Sequence, residues 1–263
     1  MVDLTRAPGG SLSPVHPADF YSGIVVDAYA ELKSFRSDPG PYAEFVTRHG
    51  GPALELGCGA GEPMLDLCAA GLQVDGVDSS LDMVQRCRQE AERRGLVVEV
   101  HHQRMEELAL ERRYASIYLA GPTFTLLADN ETARRGLAAV HAHLAEDGAA
   151  LVPLWIPGPT PPEQLGVTRS TGEVAGTELR YTPLTETYDQ ERRTRTTSCR
   201  YERLTPDGTE VADRRWVVHW HTPSSFRGLC DDVGLEIMEI VGDDTNQPPS
   251  DTTASSTATL RRR

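Results

Sequence analysis

Basic residues are in short supply: 26 Lys and Arg face 39 Asp and Glu over 263 residues, a formal net charge of -13. A nucleic-acid surface needs a basic footprint, so DNA and RNA are not expected as partners. An acidic field favours a neutral or cationic substrate instead. Long apolar runs are missing as well. No stretch approaches the roughly 20 residues of a membrane helix, and MVDLTRAPGGSLSPVHPADF lacks the basic start and apolar core of a signal peptide. Cysteine is sparse and scattered. Cys58, Cys68, Cys87, Cys199 and Cys230 are odd in number and show neither zinc-site spacing nor a disulfide framework, which points to a reduced cytoplasm. No His-Asp pairing or metal-ligand spacing stands out, and no metal is expected.

What the chain does have is a rhythm. Residues 1–18 are rich in Pro, Gly and Ser and read as disordered or loosely draped. Tyr21, Ile24, Val25, Ala28, Tyr29 and Leu32 then recur at helical spacing, and a short helix is expected near 41–48. From residue 53 strands and helices alternate: ALELG, a helix opened by Pro63, LQVDGVD, a helix capped by Ser79 or Ser80 and stopped by Gly95, LVVEVHH, YASIYLA, a helix over ETARRGLAAVHAHLAEDG, and AALVPLWI. That order means a parallel sheet with helices on both faces. After PGPTPPE the texture changes. Residues 166–221 read as three or four antiparallel strands, followed by a helix over TPSSFRGLCDDVG and two closing strands.

The stretch ALELGCGAGE, residues 53–62, carries glycines at 57, 59 and 61 between Glu55 and Glu62. A dinucleotide site wants G-x-G-x-x-G, so that pyrophosphate sits on the helix N-terminus. Counted from Gly57, its third glycine would fall on Glu62, whose charge would repel a phosphate. A turn needed only for tight strand-to-helix packing is the plainer alternative. The spacing Glu55, Gly57, Gly59, Gly61, with Asp78 closing the second strand, resembles the first motifs of class I S-adenosylmethionine-dependent methyltransferases over residues 51–156. The resemblance implies an α/β, Rossmann-like fold: a mostly parallel twisted sheet, an antiparallel β insertion and an N-terminal helical lid. It divides the chain into a lid at 19–50, a cofactor-binding core at 51–156 and 222–263, and a substrate-covering subdomain at 157–221.

The resemblance also implies S-adenosyl-L-methionine as cofactor. Its sulfonium and ammonium groups tolerate nearby carboxylates, and the glycines let backbone approach it closely. Asp78 would accept from the ribose hydroxyls, with Ser79 beside it, and Met83 would pack on adenine. Many relatives carry an Asp after strand three; here QRMEEL with Arg104 departs from that, leaving Met105 for backbone contact and Glu106 for the adenine amino group. Backbone at Ala120 and Gly121 would face the sulfonium, and Thr123 and Phe124 would border the acceptor. Tyr21 and Tyr29, eight residues apart on one helical face, would close the lid over it. These two tyrosines and Phe124 are the candidate catalytic residues, with core packing as the alternative for each.

Other features weigh less. In VVHWH, His219 and His221 share one strand face and are either general bases or a solvated surface. His101 and His102 end the third strand, and ERRTRTTSCRYER reads as an exposed strand face. The order of parts is similar to bacterial natural-product methyltransferases of the amino-sugar N-methylating type. The implied function is methyl transfer to an amine of a small secondary metabolite. The rivals are an O-methyltransferase and a cofactor-binding cyclase or regulatory protein. The expected partner is a small molecule, and a homo-oligomer is compatible with the sequence.

Overall fold

A computed structural model describes residues 19–32 and 37–263; the expectation for residues 1–18 lies outside them. Helix α1 runs Ile24–Leu32 and α2 runs Gly40–His49. Tyr21 therefore precedes the first helix rather than belonging to it, because Gly23 takes a positive φ of 57° and turns the chain immediately before Ile24.

The alternating region forms β1 (Ala53–Leu56), α3 (Met64–Ala69), β2 (Val74–Asp78), α4 (Leu81–Arg93), β3 (Val100–His102), β4 (Tyr114–Leu119), α5 (Asn130–His143) and β5 (Leu144–Trp155). Of the two candidate caps, Ser80 serves: its hydroxyl accepts from the Met83 amide at 3.1 Å. Helix α5 stops five residues earlier than its pattern predicts. His143 turns back there, donating from Nδ1 to the Ala139 carbonyl at 2.7 Å and accepting at Nε2 from the Leu110 amide at 3.0 Å. The EDG stretch beyond is extended. A Cβ on Gly148 would stand 2.9 Å from the Tyr114 carbonyl, so only glycine lets β5 pass this close to β4.

The chain closes with α6 (Pro223–Asp232), β10 (Leu235–Gly242) and β11 (Ser255–Arg262). The main sheet has the order β10-β11-β5-β4-β1-β2-β3, parallel from β3 to β5, with β11 antiparallel to both β5 and β10. β1 leads to β2 on one side and pairs with β4 on the other, which makes the carboxyl end of β1 the place where strand order reverses. In open α/β sheets that crevice receives the ligand.

Between the two parts of this sheet's sequence lies a second, antiparallel sheet: β6 (Arg169–Ser170), β7 (Glu178–Asp189), β8 (Thr194–Thr205) and β9 (Gly208–His219). β8 is not an exposed face. Arg195, Thr197, Cys199 and Tyr201 alternate inward and are buried, Cys199 and Tyr201 under α1 and Arg195 between Trp155 and Trp216. Phe20, Ile24, Val25 and Ala28 join Leu179, Cys199 and Tyr201 in one apolar cluster. The lid and the second sheet thus share a core of their own, apart from the two layers that flank the main sheet. No helix among the described residues is long and apolar enough to cross a membrane.

Candidate active site

The site begins with β1, four fully buried residues that include Glu55 at 0% exposure. Gly57, Gly59 and Gly61 follow with φ of 75°, 52° and 97°, a region closed to most side chains. A Cβ on Gly57 would meet Thr123 Cγ2 at 2.4 Å, and one on Gly61 would meet Leu65 at 2.7 Å and Cys87 Sγ at 2.9 Å. At Gly59 such a Cβ would find open space. The outer glycines answer to packing, and the middle one opens the loop to the cleft.

Asp78 ties this loop to the end of β2. Its carboxylate accepts from the Gly59 amide at 2.8 Å and from the Ser80 amide at 2.8 Å. Ser80 in turn donates its hydroxyl to the Tyr21 carbonyl, and Asp82 accepts from the Gly23 amide at 2.7 Å. The start of α4 therefore latches the segment before α1. Asp27 on α1 is gripped by Arg86 of α4 and by Arg203 of β8. None of these latches was visible in the sequence, since each partner lies at least 59 residues away from the other.

Burial governs the electrostatics. Glu55 is pushed up to about 8, chiefly by desolvation, although Tyr118 donates to it at 2.8 Å. Burial also raises Asp78, against the backbone amides it accepts. The phenols of Tyr21, Tyr29 and Tyr42 are all raised by burial, so each stays protonated at neutral pH. The Tyr42 hydroxyl, 79 residues away along the chain, accepts from the Gly121 amide at 2.9 Å. Glu62 accepts from the Ser37 amide at 3.1 Å.

A cleft of about 2230 Å³ opens over the loop. Gly57, Gly59, Gly61, Met83, Ala120 and both Tyr21 and Tyr29 line it. The two tyrosine rings meet edge to face, 5.3 Å apart. Glu55 and Asp78 lie beneath this lining, and Ser79 instead offers its carbonyl to His102 Nε2 at 2.9 Å.

Two expectations do not match this placement. Phe124 is 2% exposed and faces away from the cleft, packed 5.4 Å from both His221 and Phe226, while its neighbours Thr123 and Thr125 line the cleft. The Met105 side chain leans on the core beside Gly136. His219 and His221 are neither a solvated face nor available bases. They are 3% and 2% exposed, meet edge to face at 4.6 Å, and burial lowers both, His221 to about 3. Arg104 pairs with Asp19 at 3.2 Å.

The loop's acids and open middle glycine fit a ligand that carries positive charge and needs close backbone approach. Among the described residues no group of three or more His, Cys, Asp or Glu side chains is arranged to hold a metal ion.

Known proteins resemble this chain in sequence and in fold. Residues 53–148 match the methyltransferase domain family. A dTDP-3-amino-3,6-dideoxy-alpha-D-glucopyranose N,N-dimethyltransferase from Streptomyces fradiae is 28% identical over 172 residues, 62% of this chain. That match spans 65% of the relative's own length. The CcbJ methyltransferase from Streptomyces caelestis superposes with a TM-score of 0.72 at 19% identity, over 93% of this chain and 98% of its own. CalS10, an amino pentose methyltransferase from Micromonospora echinaspora solved with S-adenosylmethionine bound, gives a TM-score of 0.63 at 18% identity, over 93% and 99%. Residues 53–148 thus resemble a methyltransferase domain, and the chain shares the fold of the methyltransferases CcbJ and CalS10.

Proposed function

We propose that the protein is a cytoplasmic S-adenosylmethionine-dependent N-methyltransferase acting on an amine of a small, sugar-bearing secondary metabolite. One observation carries the reading: Glu62 and Asp78 flank a glycine loop whose open residue, Gly59, faces a cleft with an aromatic lid. Such a loop suits a cationic ligand and opposes a pyrophosphate. When bound, the cofactor supplies a methyl group on a positively charged sulfur that leaves as a neutral thioether.

The chain's part is to hold the nucleophile in line and dry. Gly57, Gly59, Gly61, Met83 and Ala120 would cradle the cofactor, with Asp78 accepting from its ribose. Tyr21 and Tyr29, closed over the loop by the Ser80 and Asp82 latches, would orient the acceptor with protonated hydroxyls and ring faces. An amine needs only to arrive unprotonated, whereas a hydroxyl usually requires a base. The sealing of His219 and His221 behind Phe124 favours the amine.

Incubation with methyl-labelled cofactor and paired amine and hydroxyl acceptors tests this. Label on nitrogen, matched by S-adenosylhomocysteine formed, is expected. Label on oxygen alone would make the protein an O-methyltransferase. Saturable cofactor binding with no S-adenosylhomocysteine across the panel would leave a binding protein without transfer.

A further inference from the structure

Resting on that reading, we infer that Arg195 is a positioning residue for the acceptor: it fixes Trp155 and Trp216 as one wall of the cleft and, through Trp216 and Phe20, holds the Tyr21 ring that orients the substrate. Both tryptophans line the cleft, yet they come from different sheets, Trp155 from the end of β5 and Trp216 from β9. The Arg195 guanidinium stands over both rings, 5.2 Å from the Trp155 centroid and 5.3 Å from that of Trp216.

A planar, weakly hydrated cation can present a face to each indole at once; the compact ammonium of a lysine cannot. The Arg195 side chain is 11% exposed, and its partners are built in. It donates to the Gly158 carbonyl at 2.9 Å and faces Glu186 at 3.8 Å. Glu186, 5% exposed, accepts from the Thr160 amide at 2.7 Å, the Thr160 hydroxyl at 2.6 Å and the Thr197 hydroxyl at 3.0 Å. One charge pair thus ties β7, β8 and the segment that follows β5. An apolar side chain of similar volume would fill this space without desolvating an ion pair. What it would not do is fix the planes of two rings against each other.

The rings carry that order onward. Trp216 lies 6.5 Å from Phe20, Phe20 meets Tyr21 edge to face at 5.0 Å, and Tyr21 meets Tyr29 in the same way at 5.3 Å. All four line the cleft. Interiors packed this closely pass a displacement along rather than absorb it. A tilt of Trp216 therefore reaches the tyrosines placed on the acceptor, while the cofactor loop is held separately, by Asp78 at the Gly59 amide.

The test compares the full chain with Arg195→Lys, which keeps the charge and loses the plane. With S-adenosylmethionine saturating, KM for the amine that takes label should rise at least about tenfold, with kcat falling less. The Kd of S-adenosylhomocysteine, by calorimetry, should stay within about twofold. In that complex the near-ultraviolet circular dichroism of the tryptophans should weaken while the far-ultraviolet spectrum stays. Trp216→Phe, made in both backgrounds, should change KM non-additively. A fall in kcat at unchanged KM is what a loss of folded enzyme alone produces, and it would overturn the inference. Additive changes in KM, or equal losses of acceptor and cofactor affinity, would do the same. If no amine is methylated, the N-methyl reading fails, and the tryptophan spectrum still decides this one, an unchanged band overturning it.

Discussion

Glu55 is an acid kept uncharged by its surroundings. The groups facing it are Tyr118, Asp78 and Glu62, and none is a cation. Its folded value of about 8 stands above an ordinary 4.5. Between those limits the folded chain holds a proton that the unfolded chain has released, so stability falls as pH rises through that window. Glu55→Gln should remove the slope. Denaturant unfolding at pH 5 and pH 8 should show the variant gaining on the wild type by on the order of 4 kcal/mol. A cationic ligand over the same loop favours the carboxylate, so calorimetry in buffers of different ionisation enthalpy should detect proton release on cofactor binding, absent in the variant. Asp78→Ala strips the Gly59 and Ser80 amides of their acceptor. It should weaken S-adenosylhomocysteine binding by about 1 to 3 kcal/mol, read in the same titrations.

At the scale of elements, the lid is held by contacts made at its entrance. Two of them, Ser80 to the Tyr21 carbonyl and Asp82 to the Gly23 amide, come from the first turn of α4. Tyr21→Phe keeps the backbone latch and should lower kcat more than cofactor affinity; an equal loss of both would place the ring in the cofactor site alone. Asp82→Ala should expose the segment before α1 to limited proteolysis while leaving the melting temperature of the core nearly unchanged. The sequence displayed the parts of this site that depend on neighbours a few residues apart: the glycines, Asp78, the cap and the strand rhythm. It hid what depends on distant packing. The alternation of VVHWH was legible, but which face turned inward was decided by Phe124, nearly 100 residues earlier in the chain. Arg195 read as a solvated charge because its two tryptophans, Trp155 and Trp216, come from other strands. The helix pattern of α5 ran past His143 because the cause of its ending, the Leu110 amide, is 33 residues away.

At the scale of the molecule, the match between fold and ligand can be read as a melting curve. S-adenosylhomocysteine at about 100 times its Kd should add about 3 kcal/mol, raising Tm by roughly 5 to 10 °C for a chain of this size. NAD at the same concentration should leave Tm unmoved, since a pyrophosphate beside Glu62 and Asp78 has no favourable place. The charge of -13 acts in the same sense over longer range, gathering cations and dispersing anions before contact.

Asp27 joins three pieces that the chain lays down far apart: α1, α4 through Arg86, and β8 through Arg203. All three side chains are about a third exposed, at 30%, 38% and 29%, so dissolved salt weakens this joint. The greasy seam between α1 and β7 and β8 feels no such screening. Ionic strength therefore weakens the Asp27 pairs with Arg86 and Arg203, while the apolar packing of α1 on β7 and β8 stays in place.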